Sequence, residues 1–336
     1  MIITRTPLRI SFAGGGSDLP VFYEHERGAV VSTAIDKYIY ITVNPKFDHK
    51  IRASYSITEI VDTVNELEHE LIREALYLLK IREGIEITSI SDIPSQGTGL
   101  GSSSSYTVGL LNALYAYKGH MAGAERLANE ACHIEIDRCR KPIGKQDQYI
   151  AAYGGLQYIR FNPDGSVYTD PVICSSATRK KLETRLLLLY TGLTRSANGL
   201  LSEQTQQTRS SEEKRASLRY MVGLADQLCE ALGRDELDAF GEILHAGWME
   251  KRKLARNISN DKIDDWYNRA RATGAIGGKL LGAGGGGFLL FYADPAHHID
   301  ICRALPELRP IPIHFCPQGS KIIYVEENDY IPGQTQ

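Results

Sequence analysis

The stretch Pro94-Ser95-Gln96-Gly97-Thr98-Gly99-Leu100-Gly101-Ser102-Ser103-Ser104-Ser105 decides how the rest of the chain is read. Three glycines alternate and four serines follow. Behind them Val108, Leu111, Leu114 and Tyr115 recur at helical spacing. Ahead of them Ile85 and Ile87, then Ile90 and Ile93, read as a strand and its exit. The segment is therefore a loop that feeds a helix over residues 102–117. Glycine lets a ligand approach the main chain closely, and the first N–H groups of a helix have no internal acceptor. With the positive end of the macrodipole added, such a loop is a phosphate site. The serine hydroxyls can donate to phosphate oxygens or ligate a hard cation. A flexible Ser/Gly linker does not usually sit between a strand and an amphipathic helix. No Gly-Lys-Ser/Thr closes a P-loop, and no acidic residue about 20 positions on completes a dinucleotide fingerprint.

A chain of 336 residues suits one large or two medium domains. Hydrophobic residues at 43% and charged ones at 24% are ordinary for a soluble globular protein. The net charge of −3, with no basic block, excludes nucleic acid and anionic membranes from the expected partners. Met1 to Pro7 lacks the apolar core of a signal peptide, and no apolar run approaches a membrane span. The six cysteines form no C-x-x-C pair, so a cytoplasmic protein with reduced thiols is expected. The nine histidines show no metal spacing. Oligomeric state is not legible.

Leu8, Ile10 and Phe12 alternate with Arg9 and Ser11, which predicts a strand over residues 1–12. It runs into Ala13-Gly14-Gly15-Gly16-Ser17-Asp18. Three glycines exceed the need of a turn and point to close approach of backbone and ligand. Strands over 29–32 and 38–43 and a helix over 65–82 follow. A second helix over 121–139 has Met121, Leu127, Ala128, Ala131 and Ile134 on its apolar side. Glu130 reads as solvated there, whereas Glu135 stands between Ile134 and Ile136. Gly144-Lys145-Gln146-Asp147-Gln148 opens an apolar helix, where Asp147 could be a helix cap alone. Asn162-Pro163-Asp164-Gly165 is a hairpin turn between strands. Pro171, two serines and three basic residues suggest a boundary near 170–182, dividing the chain into 1–175 and 176–336. Beyond it a strand over 184–190 and helices over 210–232, 235–255 and 260–273 are expected. The third glycine-rich run, Gly277 to Gly287, leads into a strand over 288–292. A helix near 296–304 and strands near 311–315 and 320–326 end the chain.

Pro-x-x-Gly-x-Gly-Leu-Gly-Ser-Ser-Ser resembles the phosphate-binding motif of the GHMP kinases. Pro7-Leu8-Arg9-Ile10, Gly144 to Gln148 and Lys279-x-x-Gly-Ala-Gly-x-Gly-Gly are similar to three further segments of that family, in order. The resemblance implies an α+β fold of two domains, the first like ribosomal protein S5 domain 2 and the second ferredoxin-like, with the active site between them. It implies ATP and Mg2+. Gly97, Gly99, Leu100, Gly101, Ser102, Ser103 and Ser104 would bind the nucleotide, and Ser103 and Glu135 the metal. Asp147 would be the catalytic base and Arg9 its partner. Gly15, Gly16, Ser17 and Asp18 would bind the acceptor, with Gly284 and Gly285 near substrate or nucleotide phosphates. Gly-Gly-Gly-Ser stands where galactokinases carry Gly-Glu-His-Thr, so the Glu and His contacts do not carry over. That variant looks like the branch holding heptose phosphate kinases and fucokinases. The implied reaction is phosphorylation of the anomeric hydroxyl of a heptose 7-phosphate. A kinase for a neutral sugar such as L-fucose, or a sugar sensor without catalysis, are the alternatives. A phosphorylated acceptor needs a second anion site. Lys145 and Arg195 are nearest by sequence, with ordinary surface charge an equally good reading of both.

Overall fold

The computed structural model describes residues 1–94, 97–194 and 197–326. The apolar alternation of the first residues does form a strand, β1 (Ile2–Ala13), and it pairs antiparallel with β2 (Gly28–Pro45) along most of its length. The short helix α1 (Pro20–Tyr23) lies between them in sequence. These two strands are the spine of an eight-stranded sheet with β3 (Ile51–Ser54), β4 (Thr58–Val61), β5 (Ile85–Ser91), β6 (Leu156–Phe161), β7 (Val167–Pro171) and β12 (Lys321–Val325). The main order is β12-β1-β2-β5-β3-β4, with β6 beside the first half of β2 and β7 beyond β6. Two strands expected over 29–32 and 38–43 are thus one. Residues 28–33 of β2 pair with β6 and residues 39–45 with β5, while β1 runs beside both parts.

Helices α2 (Glu70–Leu78), α3 (Ser102–Tyr117), α4 (Ala124–Cys132) and α5 (Gln146–Tyr153) belong to this part. α3 matches the sequence reading and is almost wholly buried against β1 and β2. The helix expected over 65–82 is broken. Val64–Glu66 is a 3-10 turn, Leu67 is extended, and His69 caps α2 by accepting from the Ile72 N–H at 3.3 Å. Met121 is exposed ahead of α4 rather than on its apolar side.

Residues 176–185, where basic residues suggested a break, form α6 (Ser176–Arg185), with Ser175 as its cap. Next come β8 (Leu186–Tyr190), α7 (Ala197–Ser210), α8 (Glu212–Gly233), α9 (Leu237–Lys251), α10 (Asp261–Ala272), β9 (Ala275–Leu280), β10 (Phe288–Ala293), α11 (Pro295–Ala304) and β11 (Arg309–Ile311). The second sheet is antiparallel in the order β11-β8-β10-β9. The first half of the third glycine run is therefore strand, and only residues 281–287 are loop. β12 returns to the first sheet, which so draws on both ends of the chain. No helix among the described residues is long and apolar enough to cross a membrane.

Two contacts position the site. Phe12 of β1 meets Phe240 of α9 edge to face, with centroids 5.1 Å apart, which joins the two parts. α9 lies on β9 where glycines replace side chains, and a Cβ on Gly277 would overlap the Gly241 carbonyl. Gly277→Ala should therefore lower stability by about 1–3 kcal/mol, the usual cost of overpacking, read from the urea midpoint. An unchanged midpoint would mean the seam is not tight.

Candidate active site

The cleft between the two parts has a volume of about 430 Å³ and is lined by all three glycine-rich segments. At its floor, Arg9 of β1 donates Nε to Asp147 Oδ1 and Nη2 to Oδ2, both at 2.7 Å. This two-pronged grip is the geometry a guanidinium offers a carboxylate. Nη1 donates to the Gly99 carbonyl at 2.5 Å, and the Arg9 N–H to the Leu100 carbonyl at 3.0 Å. One residue thus fixes Asp147 at the start of α5 and seats the loop Gly97–Gly101 on β1. Gly101 begins α3 in the left-handed region, φ 76°, with no side-chain cap, which leaves the first N–H groups of α3 to a ligand.

Asp18 is buried and accepts from the Gly16 N–H at 2.9 Å and the Gln146 N–H at 3.3 Å. A Cβ on Gly144 would overlap its carboxylate, so glycine is required there. Burial, reinforced by the Asp147 charge, raises the Asp18 carboxyl above the usual range. Its carboxylate oxygens can accept from a sugar hydroxyl.

Glu135 lies in a π-helical segment, His133–Arg138, that continues α4. Such segments often mark functional sites. Its carboxylate is fully buried and accepts from Ser103 Oγ at 2.6 Å, Ser104 Oγ at 2.7 Å and Gln148 Nε2 at 2.7 Å. The Lys141 ammonium sits 3.0 Å from Ser103 Oγ and 3.6 Å from Glu135 Oε1. Glu130 is held apart by Tyr115 and Arg126.

Several residues expected in the site lie elsewhere. Leu100 is buried in the core and does not line the cleft, and its carbonyl accepts the Arg9 N–H. Ser17 is buried and bonded to the Gly14 and Ala29 main chain, so it closes the loop rather than meeting a ligand. Lys145 turns away: its ammonium donates to the Gly165 carbonyl at 2.9 Å and lies 4.6 Å from the Tyr23 ring centroid. Gly284 lines the cleft, whereas Gly285 does not and gives its N–H to Ile258. Arg195 falls outside the described residues. Gly15, Gly16, Gly97, Gly99, Gly101, Ser102, Ser103 and Ser104 do line the cleft.

The sequence reading gave no role to Lys141, Gln204, Lys251 or Lys279, all of which line it. Lys251 stands in Glu250-Lys251-Arg252-Lys253, a run that looks like a solvated face. Lys279 was visible as the first residue of the third motif. Both are buried. Burial and then the Arg9 charge lower Lys251 to about 8. Burial, then Lys251 and Arg9, lower Lys279 well below the usual range.

Residues 59–155 match the model of the GHMP kinases N terminal domain, and residues 228–310 that of the GHMP kinases C terminal. A D-glycero-alpha-D-manno-heptose 7-phosphate kinase of Campylobacter jejuni is 30% identical over 322 residues, 90% of this chain and 93% of that one. The chain belongs to the GHMP kinases. This GHMP kinase is also 27% identical over 316 residues to a bifunctional fucokinase/GDP-fucose pyrophosphorylase of Arabidopsis thaliana, covering 86% of itself and 30% of that longer protein. The crystal structure of a D-glycero-D-manno-heptose 1-phosphate kinase from Bacteroides thetaiotaomicron superposes with a TM-score of 0.80 at 24% identity, over 97% of this chain and 100% of that one. That likeness establishes the shared fold.

Arg9→Lys keeps the charge but loses the fork and the tie to Gly99. We expect kcat to fall about 100-fold, the scale of a misplaced catalytic group, with the thermal midpoint little changed. A kcat near that of the wild type would remove Arg9 from the positioning of Asp147.

Proposed function

We propose that this GHMP kinase transfers the γ-phosphoryl group of ATP to the anomeric hydroxyl of a sugar phosphate of the heptose 7-phosphate class. The observation that carries the reading is the Arg9–Asp147 fork, set between the phosphate loop and the Asp18 loop. The Campylobacter relative supports the acceptor class. The intact fork speaks against a sensor that has lost catalysis.

In this reading the backbone of Gly97 to Gly101 and the first turn of α3 hold the nucleotide phosphates. Asp18 and the Gly15–Gly16 backbone orient the acceptor. Asp147 takes the proton of the acceptor hydroxyl as its oxygen bonds to the γ-phosphorus and the bond to the bridging oxygen breaks, releasing ADP. Arg9 keeps the carboxylate aimed through that step. No covalent phosphoenzyme is required.

The donor set suits Mg2+. Ser103 Oγ and Glu135 Oε1 are hard oxygens that already face an ammonium, Lys141. Mg2+ can take one or two protein ligands and the rest from phosphates and water. Ser103 and Glu135 would hold it, and it would neutralise charge on the phosphate oxygens. We further propose that residues 1–175 carry the ATP-binding functions, and that the protein works in the cytoplasm.

An acceptor screen tests the reading. Heptose 7-phosphate should be used far better than free hexoses, L-fucose included, and Asp147→Asn should lower kcat by about 10²–10⁴-fold while ATP still binds. A preference for L-fucose would move the reading to a neutral-sugar kinase. A near-normal kcat in the variant would remove Asp147 as the base.

A further inference from the structure

Lys251 at the end of α9 and Lys279 in β9 bring two buried ammonium groups to the wall of the cleft. Lys251 donates to the Gly282 carbonyl, and Lys279 to the Phe12 carbonyl at 3.1 Å. An ammonium has three donors, so neither group is satisfied by one carbonyl. Neither forms an ion pair with a carboxylate among the described residues. A buried ammonium without a counter-ion is costly. Burial and then like charge, that of Arg9 at Lys251 and those of Lys251 and Arg9 at Lys279, disfavour the charged forms, which an anion bound here would restore.

Three further buried polar atoms on residues of the cleft have no partner among the described residues: the acceptor Gln146 Oε1 on α5, and two groups able to donate. Gln204 Nε2 comes from α7 and Ser11 Oγ from β1. A Cβ on Gly16 would lie 2.6 Å from Gln204 Nε2, and one on Gly15 would lie 3.6 Å from Ser11 Oγ. Gln204 and Ser11 therefore flank the acceptor loop, Lys279 stands at its entry beside the Phe12 carbonyl, and Lys251 stands at Gly282, where the third glycine run meets the first. The nucleotide phosphates have their own donors in the first turn of α3 and their own cation in Lys141. The charged groups facing Lys251 are Arg9 on β1, Asp18 on the loop, Asp147 on α5 and Lys279 on β9. Arg9 is already committed to Asp147.

We propose that Lys251, Lys279 and Gln204 form the subsite that receives the acceptor's own phosphate. This rests on the reading of the acceptor as a sugar phosphate. A phosphomonoester brings about −1.5 to −2 charges at neutral pH, matched by two ammonium groups. The glycine seam between α9 and β9 sets where those two groups stand, and α7 supplies Gln204 to a third face of the anion. Lys145 cannot share the role while it is bonded to Gly165.

The test compares heptose 7-phosphate with the same heptose lacking the phosphate, in wild type, Lys251→Met, Lys279→Met and Gln204→Leu. Wild type should prefer the phosphorylated acceptor. Lys251→Met and Lys279→Met should each raise its KM by about 30-fold or more, the loss on truncating one partner of a buried charge pair. The preference ratio should collapse toward one, while KM for ATP moves little. Lys251→Arg, which keeps a cation, should restore part of that preference. Should Lys279→Met fail to fold, Lys251→Met and Gln204→Leu decide the matter. The subsite is overturned if wild type prefers the phosphorylated acceptor and the variants keep that preference. It is equally overturned if the variants lower kcat for both acceptors alike, since the lysines would then serve the transferring group. If wild type shows no preference, the sugar-phosphate reading fails and the subsite with it.

Discussion

One guanidinium ties three separate parts of the chain together. Arg9 belongs to β1, its fork closes on Asp147 in α5, and its remaining nitrogen holds the Gly99 carbonyl. Asp147 and the glycine loop are therefore placed relative to each other by a single rigid group. Removing one partner of a buried pair costs about 3–5 kcal/mol, and the lower end applies because Asp147 keeps some contact with solvent. The pair could not be built without the long pairing of β1 and β2, which puts Arg9 under the loop.

Glycine makes the rest of the cleft possible by close approach. A Cβ on Gly99 would overlap the Leu281 carbonyl, and one on Gly282 would overlap Gly99 itself. The first and third glycine runs thus pass backbone against backbone, which no larger residue would allow. The same device at Gly144 makes room for the Asp18 carboxylate, and at Gly277 it seats α9 on β9. Side chains from both parts then meet in one volume: Asp18 and Asp147 from the first, Lys251 and Lys279 from the second. Acidic and basic side chains thus line one shared space.

Much of this was legible in the sequence because the motifs are local. A glycine loop ahead of an apolar-periodic segment reads directly as a loop feeding a helix, and α3 starts at Ser102 as expected. Glu135 could be separated from Glu130 by its two isoleucine neighbours, and it is buried. What failed depended on distant partners. Lys145 stands inside a motif, yet its ammonium is taken by Gly165 in the hairpin turn. Lys251 looks solvated in its charge run, and only the packing of α9 on β9 buries it. α7, rich in Gln, Ser and Thr, shows no apolar stripe to announce it, although it brings Gln204 to the cleft. The unbroken β2 was hidden because Asp36 and Lys37 interrupt its alternation; they fall where the register against β1 shifts between Ile35 and Tyr38, and the strand continues on either side.

The central claim is direct transfer to an acceptor hydroxyl whose proton passes to the Asp147 held by Arg9. The stereochemical course at phosphorus tests it most directly. ATP made chiral at the γ-phosphorus with oxygen isotopes would be turned over with the sugar phosphate acceptor, and the configuration of the new phosphate read by ³¹P NMR. A single in-line displacement predicts inversion. Net retention would require two displacements through a phosphorylated protein group, and would contradict the account.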